Sequence, residues 1–240
     1  MKAPFAFVAA LAAIGAVIGA TAGFAQQADP PGLGEIMVSA NRNSVPYAQN
    51  DRPVVGLRRR ADAAVMSLTI TSDSRDAATR GQEIHTVLLG AIDKAAAAGL
   101  EVAWGNVQLV RVNKANYKDL PLYGAGRNDT SQVTVLIKGK LEGTADSTRS
   151  RLLNFALGIK GSGRAIVSSG RTISLTVVNP DQYRDAIIKL VAADAANTAS
   201  LFGPNFTFNV TGIDGQVGWS QVSTTEVFLY IPYRYVIFPK

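Results

Sequence analysis

Apolar and polar residues alternate along the chain with two periods, one typical of strands and the other typical of helices. The stretch DAAVMSLTITS, residues 62–72, alternates apolar with hydroxyl side chains, which predicts a half-buried strand. Ser72, Asp73 and Ser74 then offer N-cap oxygens to a helix, and Gly99 is placed to end it. One face of that helix is apolar, and the residues with this spacing are Ile84, Val87, Leu88, Ala91, Ile92 and Ala95.

The same kinds of element continue to the end of the chain. Asn179 is a cap candidate for a later helix that ends before Gly203, and Pro180 suits the first turn of that helix. A shorter helix is predicted between the two, over residues 146–159. The further predicted strands cover residues 100–113, 131–143, 171–179, 205–212 and 224–238.

One phrase of the sequence occurs twice. SLTITSDSRDA begins at Ser67, and SLTVVNPDQYRDA begins at Ser174. Together with the repeated order of elements, this indicates a duplication: two similar strand–helix–strand–strand units, residues 61–142 and 171–240, joined by a short helix. The sequence therefore predicts an α+β fold in which helices pack on a mainly antiparallel sheet.

Residues 1–25 have the layout of a cleaved secretory signal peptide: one Lys, a long apolar run and a small-x-small stop at Ala25. A membrane anchor is the alternative, but the Ala/Gly-rich run is near the lower length limit for spanning. The chain has no Cys, so a lipid-anchored lipoprotein is not expected and the core must be stable without disulfides. The predicted location is the periplasm, in association with the outer membrane.

Residues 26–60 are rich in Pro, Gly, Asn, Gln and Arg, which predicts an irregular basic linker or arm before a domain at residues 61–240. Its tightest positive cluster is Arg58, Arg59 and Arg60, in a chain of net charge +6. We interpret the cluster either as a solvated flank or as a contact with an anionic envelope or membrane surface. Export and the scatter of the remaining charge argue against nucleic acid as a partner.

A short stretch of this segment, GEIMVSANR at residues 34–42, is similar to the start of the plug of TonB-dependent outer-membrane receptors. The chain is much too short for the barrel of about 22 strands that such a receptor needs. The stretch is therefore either a chance likeness or an extended strand that docks on another surface.

No cluster of residues predicts a catalytic, metal or cofactor site. His85 is the single histidine and Cys is absent, so a zinc site or a nucleophile triad lacks its components. Two pairs of carboxylates, Asp73 with Asp76 and Asp181 with Asp185, fall at predicted helix starts. Negative charge is favourable there because of the helix dipole, so capping explains both pairs.

Two stretches rich in aromatic residues predict surfaces for self-association. The connection over residues 114–129 is longer than most loops, and long loops are usually functional or disordered. The closing strand is apolar on both faces, so both faces need cover. The candidate contact residues are Tyr117, Leu122 and Tyr123 in the loop, and Phe228 and Tyr230 in the strand.

These stretches resemble the SIMPL-domain family of exported bacterial envelope proteins over residues 61–238. The resemblance is carried by AAVMSLTITSDSRDAA, LLGAIDKAAAAGL, LPLYG, YRDAIIKLVAADAANTASLFG and EVFLYIPYRYVI. It implies an α+β fold, export and, in some members, a large ring-like or channel-like assembly, and it brings no catalytic residues. The sequence departs from the family pattern in two places, the ending NTASLFGPNF of the later helix and the basic segment before residue 61. These departures affect the assembly that the resemblance implies more than the fold.

The leading expectation is a non-enzymatic cell-envelope protein that forms a homo-oligomer and needs no cofactor. A periplasmic module that binds a small ligand in a cleft between the two units is the first alternative. An enzyme with an unrecognised carboxylate site is the second.

Overall fold

A computed structural model describes residues 34–38 and 53–240 of the protein. These residues confirm an α+β fold, with three α-helices and strands that pair antiparallel. The helices are α1 (Ala77–Ala97), α2 (Ala145–Leu157) and α3 (Arg184–Ser200). The strands are β1 (Glu35–Val38), β2 (Leu57–Arg60), β3 (Ala63–Ser72), β4 (Glu101–Trp104), β5 (Gln108–Val112), β6 (Tyr123–Gly124), β7 (Ser131–Lys140), β8 (Ile166–Ser169), β9 (Ser174–Val178), β10 (Phe206–Thr211), β11 (Gly218–Gln221), β12 (Glu226–Tyr230) and β13 (Arg234–Pro239).

Six strands close into a barrel in the order β1, β5, β4, β7, β3 and β9, with β9 returning to β1. The longest pair is β3 with β7, which run together over their ten residues. At one end of this pair β3 contacts β9, but at the other end it contacts β8, and β7 there contacts β6. The barrel is therefore closed at one end and splayed at the other.

Two hydrophobic cores lie outside the barrel wall, one on each side. We call the first core the layer between α1, α2 and the outward faces of β3, β4 and β7. The second core lies between α3, the outward faces of β1 and β9, and a three-stranded sheet in the order β11, β12, β2. Leu68 on β3 and Leu175 on β9, from the two SLT stretches, are both fully buried, one in each core.

The predicted helix after β3 is confirmed, but it begins at Ala77, a few residues after the predicted cap candidates Ser72, Asp73 and Ser74. All six residues of its predicted apolar stripe are buried in the first core. Its N-cap is Asp76, whose carboxylate accepts a hydrogen bond from the Thr79 backbone N–H at 2.7 Å. Gly99 follows the helix with φ +65°, a conformation that favours glycine. Asp73 has a different role, because it pairs with Arg164.

The start of α3 differs from the prediction. Asn179 makes no side-chain cap bond and lies in the left-handed region, at φ 43°. A 3-10 turn, Pro180–Tyr183, precedes α3 and makes the transition from β9. Pro180 still opens helical structure, since its fixed φ suits a first turn, but the cap that the sequence suggested is absent there.

The prediction of an irregular arm over residues 26–60 is wrong for two segments that the structure describes, because both segments are strands. Glu35–Val38 is a barrel strand paired on both edges, and Leu57–Arg60 is a strand paired with β12. Both strands are only four residues long, and their partners lie far away in the sequence. The short apolar runs of this segment gave no local signal of that pairing. The predicted signal peptide, residues 1–25, lies outside the described residues.

Two predicted strands are each divided in the structure. Residues 100–113 form a hairpin of β4 and β5, turned at Gly105 with φ +134°. Residues 224–238 form β12 and β13, separated around Pro232, and the two strands enter different sheets. Proline has no N–H for a ladder, so the interruption at Pro232 follows from its chemistry.

Candidate functional site

The long loop predicted to be functional lies along α1. We call residues 114–124 the docked loop. Lys114 forms an ion pair with Asp93 of α1 at 2.7 Å. Further on, the Tyr117 ring meets the His85 ring edge-on, with centroids 5.6 Å apart. Leu122 reaches the start of α1, where a Cβ placed on Gly81 would lie 3.7 Å from the Leu122 side chain.

The three contacts run in opposite directions along the two segments, so the docked loop is antiparallel to α1. Tyr117 and Leu120 are half-buried against the first core, which makes Tyr117 part of the fold rather than a free contact residue. Leu122 and Tyr123 are exposed, with Tyr123 at 55%. Tyr123 belongs to β6, which has one partner strand, β7.

His85 is shielded by this loop. Its Nε2 atom is buried and has no hydrogen-bond partner. Burial lowers the pKa of His85, and the nearby positive charge of Lys118 lowers it further. Lys118 Nζ also lies 5.8 Å from the centroid of the Tyr117 ring. A neutral imidazole is therefore the favoured state of His85 in this arrangement.

The candidate residues Phe228 and Tyr230 are not available on the surface. Their exposures are 6% and 5%, and their rings stack with centroids 5.8 Å apart. Gly56 packs so closely on Phe228 that a Cβ there would lie 2.6 Å from Cζ of the ring. The expectation that the aromatic strand offers these two residues to another subunit is therefore corrected.

Three arginines of the predicted basic arm lie on β2 and have different surroundings. Arg59 forms an ion pair with Asp62 at 2.5 Å and lies 4.4 Å from the centre of the Tyr183 ring. Arg60 donates to the Leu141 and Gly143 carbonyl oxygens. Arg58 is exposed and lines a cavity of about 710 Å³ together with Phe228 and residues 53–56.

The exposed part of the predicted closing strand is the two-stranded ribbon of β10 and β13, which the sequence did not place. We call this the ribbon; no third strand pairs with it in the described part of the chain. Val236 and Phe238 project from it with exposures of 66% and 41%, and at the end of α3 Phe202 is 59% exposed. The sequence shows the alternation of the closing strand, but it does not show that the strand is divided at Pro232. Only this division explains why Val236 and Phe238 are exposed.

The interior of the barrel combines an apolar layer with a charged one. Lys138 bonds to Glu35 and lies 3.1 Å from Glu101, and the Thr176 hydroxyl donates to Glu35 at 2.6 Å. Burial alone would lower the pKa of Lys138, but hydrogen bonds and charge from the two glutamates raise it overall. The neighbouring apolar layer consists of Met37, Val65, Ala103, Leu109 and Leu136.

A second polar cluster joins the end of β3 to the turn before β8. Glu83 accepts hydrogen bonds from the Ser72 and Ser74 hydroxyls at 2.5 and 2.9 Å and from the Arg164 backbone at 3.1 Å. The bond from Ser72, followed by the one from Arg164, lowers the pKa of Glu83. Arg164 also holds Asp73 in a bidentate pair. Each carboxylate of this cluster therefore has structural partners, which join α1 and β3 to the turn before β8.

Neither a metal site nor a membrane-crossing helix is found in the described part of the chain. Groups of three or more His, Asp or Glu side chains that could hold a metal ion do not occur among residues 34–38 and 53–240. None of the helices over the same residues is long and apolar enough to cross a bilayer. In comparisons with known proteins, no family model and no curated protein matches the chain.

Proposed function

We propose that the protein is a non-enzymatic component of the bacterial cell envelope that acts by self-association, as the SIMPL resemblance implies. The ribbon is the observation that carries this proposal. It combines unpaired strand edges with exposed apolar side chains, and unpaired edges are templates for pairing with another chain.

The composition of the ribbon favours a second copy of this chain as the partner. The central residues of β13, Tyr235–Phe238 in sequence YVIF, carry no charge, and β10 carries none. Charges at an edge strand normally discourage such pairing. An antiparallel pair of identical β13 edges would be two-fold symmetric, and this symmetry is the commonest one in homo-oligomers.

The docked loop supplies a second contact surface in this proposal. Leu122 and Tyr123 are exposed at the splayed end of the barrel. Tyr123 lies on β6, which among the described residues pairs with β7 alone. Aromatic residues of this kind are enriched at protein interfaces. Phe228 and Tyr230 are not part of the proposed surface because they are buried.

The deciding experiment is the absolute mass of the purified protein by light scattering on a sizing column. We expect a particle of several subunits, and we expect Val236→Lys with Phe238→Lys to reduce it to the protomer. Charges at the ribbon would oppose edge pairing and require desolvation. Leu157→Lys is the matched control, because Leu157 is 73% exposed on α2, away from the ribbon. A monomeric wild type, or an unchanged mass in the double variant, would overturn the proposal.

The second surface has its own test by the same measurement. Tyr123→Ala should lower the mass or shift the association to higher concentration if β6 takes part. Tyr117→Phe is a useful comparison because it keeps the ring that packs on His85. If only the ribbon variant dissociates the particle, the docked loop is removed from the interface and the ribbon retained.

Export to the periplasm, with association to the outer membrane, is part of the same proposal and rests on the sequence of residues 1–25. Cell fractionation of the full chain and mass determination of the mature N-terminus test it. A product that retains Met1–Ala25 and stays in the cytoplasm would contradict it. The proposed duplication of residues 61–142 and 171–240 is supported by Leu68 and Leu175 of the two SLT stretches, which are fully buried, one in each core.

Ligand binding is the second candidate, favoured by the cavity of about 710 Å³ beside β2. Arg58, which is exposed, lines this cavity together with apolar residues such as Val54 and Val55, and this combination suits a small anionic molecule with an apolar portion. A monomeric protein whose melting temperature rises with such compounds, and does not rise in Arg58→Gln, would favour this function over self-association.

A further inference from the structure

We propose that His85 is an acid-sensitive latch that holds the docked loop on α1 at neutral pH and releases it when the imidazole is protonated. The docked loop is attached at three places, and the middle attachment is the contact between the His85 and Tyr117 rings. His85 is the single histidine of the chain, so one proton controls this contact in the range where imidazoles titrate.

Nε2 of His85 has no acceptor for a second proton. A neutral imidazole carries one N–H, whereas an imidazolium carries an N–H on both nitrogens. Nε2 of His85 is shielded from solvent and has no hydrogen-bond partner. Protonation therefore creates a buried donor without an acceptor, together with a charge in a site that burial has partly desolvated.

The docked loop also carries a positive charge near His85, on Lys118. The Lys118 ammonium lies 5.8 Å from the Tyr117 ring, so this ring already faces one cation. Protonated His85 would bring a second positive charge near the Lys118 ammonium, and these two charges repel each other. Both effects act in the direction that lowers the pKa of His85 in the docked state.

Other charged groups near this part of α1 already have partners. Glu83 is held by Ser72, Ser74 and Arg164, and Asp93 pairs with Lys114 of the docked loop. The acidic residue in the loop turn itself, Asp119, is exposed. Among the described charged groups, Lys118 is the one whose charge acts on the His85 ring, and it disfavours the imidazolium.

The sign of the pH dependence follows from linkage. Since the docked state has the lower pKa, the released state binds the proton more tightly. Docking is therefore strongest above the pKa of a free histidine, weakens as the pH falls through it, and stops weakening below the pKa of the docked state. The largest possible change in the docking equilibrium is tenfold for each pKa unit that separates the two states.

The test is hydrogen exchange of the full chain at pH 7.5 and pH 5.0, corrected for the intrinsic rates. We expect amide protection in residues 114–124 to fall at pH 5.0 in the wild type and to stay constant in His85→Gln, which cannot titrate. Strand β7 serves as the internal reference. A double variant, His85→Gln with Gln82→His, moves the histidine to an exposed neighbouring position and should also lack the response.

Equal loss of protection in wild type and His85→Gln, or no loss in the wild type, would overturn the proposal. An NMR titration of the single imidazole provides a readout that needs no variant: its pKa should lie below the free value of about 6.5. A measured pKa at or above that value would also overturn it.

The latch does not depend on self-association, because exchange and NMR report on the loop in any oligomeric state. Its consequence for assembly does rest on the proposed function, since release would move Leu122 and Tyr123. A latch that operates in a monomeric protein would keep this inference and reject only the proposed contact.

Discussion

Strands β3 and β9 share the sequence Ser-Leu-Thr, and each contributes its buried leucine to one of the two cores. The two cores are nevertheless built from different elements. The first core is covered by α1 and α2, which both have side-chain N-caps, at Asp76 and Thr144. The second core is covered by α3, which has no such cap, and by a sheet of short strands. The exposed ribbon adjoins this second region. A repeated sequence can thus give two strands the same buried position of a leucine, while the elements that follow these strands are arranged differently.

The largest expected effect compares equivalent leucines of the two cores. Leu68→Ala and Leu175→Ala each remove a fully buried side chain, and each should lower the free energy of unfolding by about 2–5 kcal/mol. Urea denaturation measures both. If the second core adapts more easily, the cost at Leu175 will be the smaller of the two. Leu157→Ala, at an exposed site, is the control and should change stability by less than about 0.5 kcal/mol.

The second-largest loss of stability is expected for a substitution in the interior of the barrel, whose wall lies between the two cores. Lys138→Met removes the cation between Glu35 and Glu101 and leaves two carboxylates close together. We expect a loss of about 2–3 kcal/mol in the free energy of unfolding near neutral pH, because a partly buried charge loses its partner. Val107→Met, on the exposed turn between β4 and β5, controls for the added side chain.

Because of Lys138, we expect the free energy of unfolding to decrease at alkaline pH. Its pKa is raised in the folded state, so its contribution is complete below the unfolded pKa and is lost as the pH rises through the folded one. Unfolding free energy should therefore fall above about pH 10.5 in the wild type. Lys138→Met should show a weaker slope over that range, and equal slopes would contradict the assignment.

The smallest effects concern the helix starts. Thr144 accepts a hydrogen bond from the Ser147 N–H at 3.1 Å, so Thr144→Ala should destabilise the protein by about 1 kcal/mol. Asn179 has no cap bond to lose and lies at φ 43°. Asn179→Gly should therefore be neutral or slightly stabilising, within about 0.5 kcal/mol. Thermal unfolding of the two variants distinguishes a capped start from an uncapped one, and equal losses would contradict it.

Local patterns predicted what depends on local forces. The apolar stripe of α1 and the alternation of β3 could both be predicted, because side-chain spacing acts within a few residues. The barrel was not readable. Its closure depends on the pairing of β1 with β5 and β9, and four residues of alternation contain no information about partners so far away.

The candidate contact residues divide in the same way. Tyr123 and Leu122 are exposed, as expected for a loop, whereas Phe228 and Tyr230, which the sequence predicts as contact residues of a single closing strand, are buried. Pro232 separates β12 from β13, and these two strands belong to different sheets. The ribbon follows from that division, so it could not be located before the sheets were known.

The closure of the barrel by β1 has a consequence for the folding pathway. Glu35 finds its partners Lys138 and Thr176 at sequence separations of 103 and 141 residues. Contacts of such high order form slowly, since the entropy of closing a long loop must be overcome first. Until β9 has been synthesised, residues 35–38 can pair with β5 but not with β9, their other neighbouring strand. We therefore expect the first described strand of the chain to be the last to reach its native place, and barrel closure to be the step that limits the rate of folding.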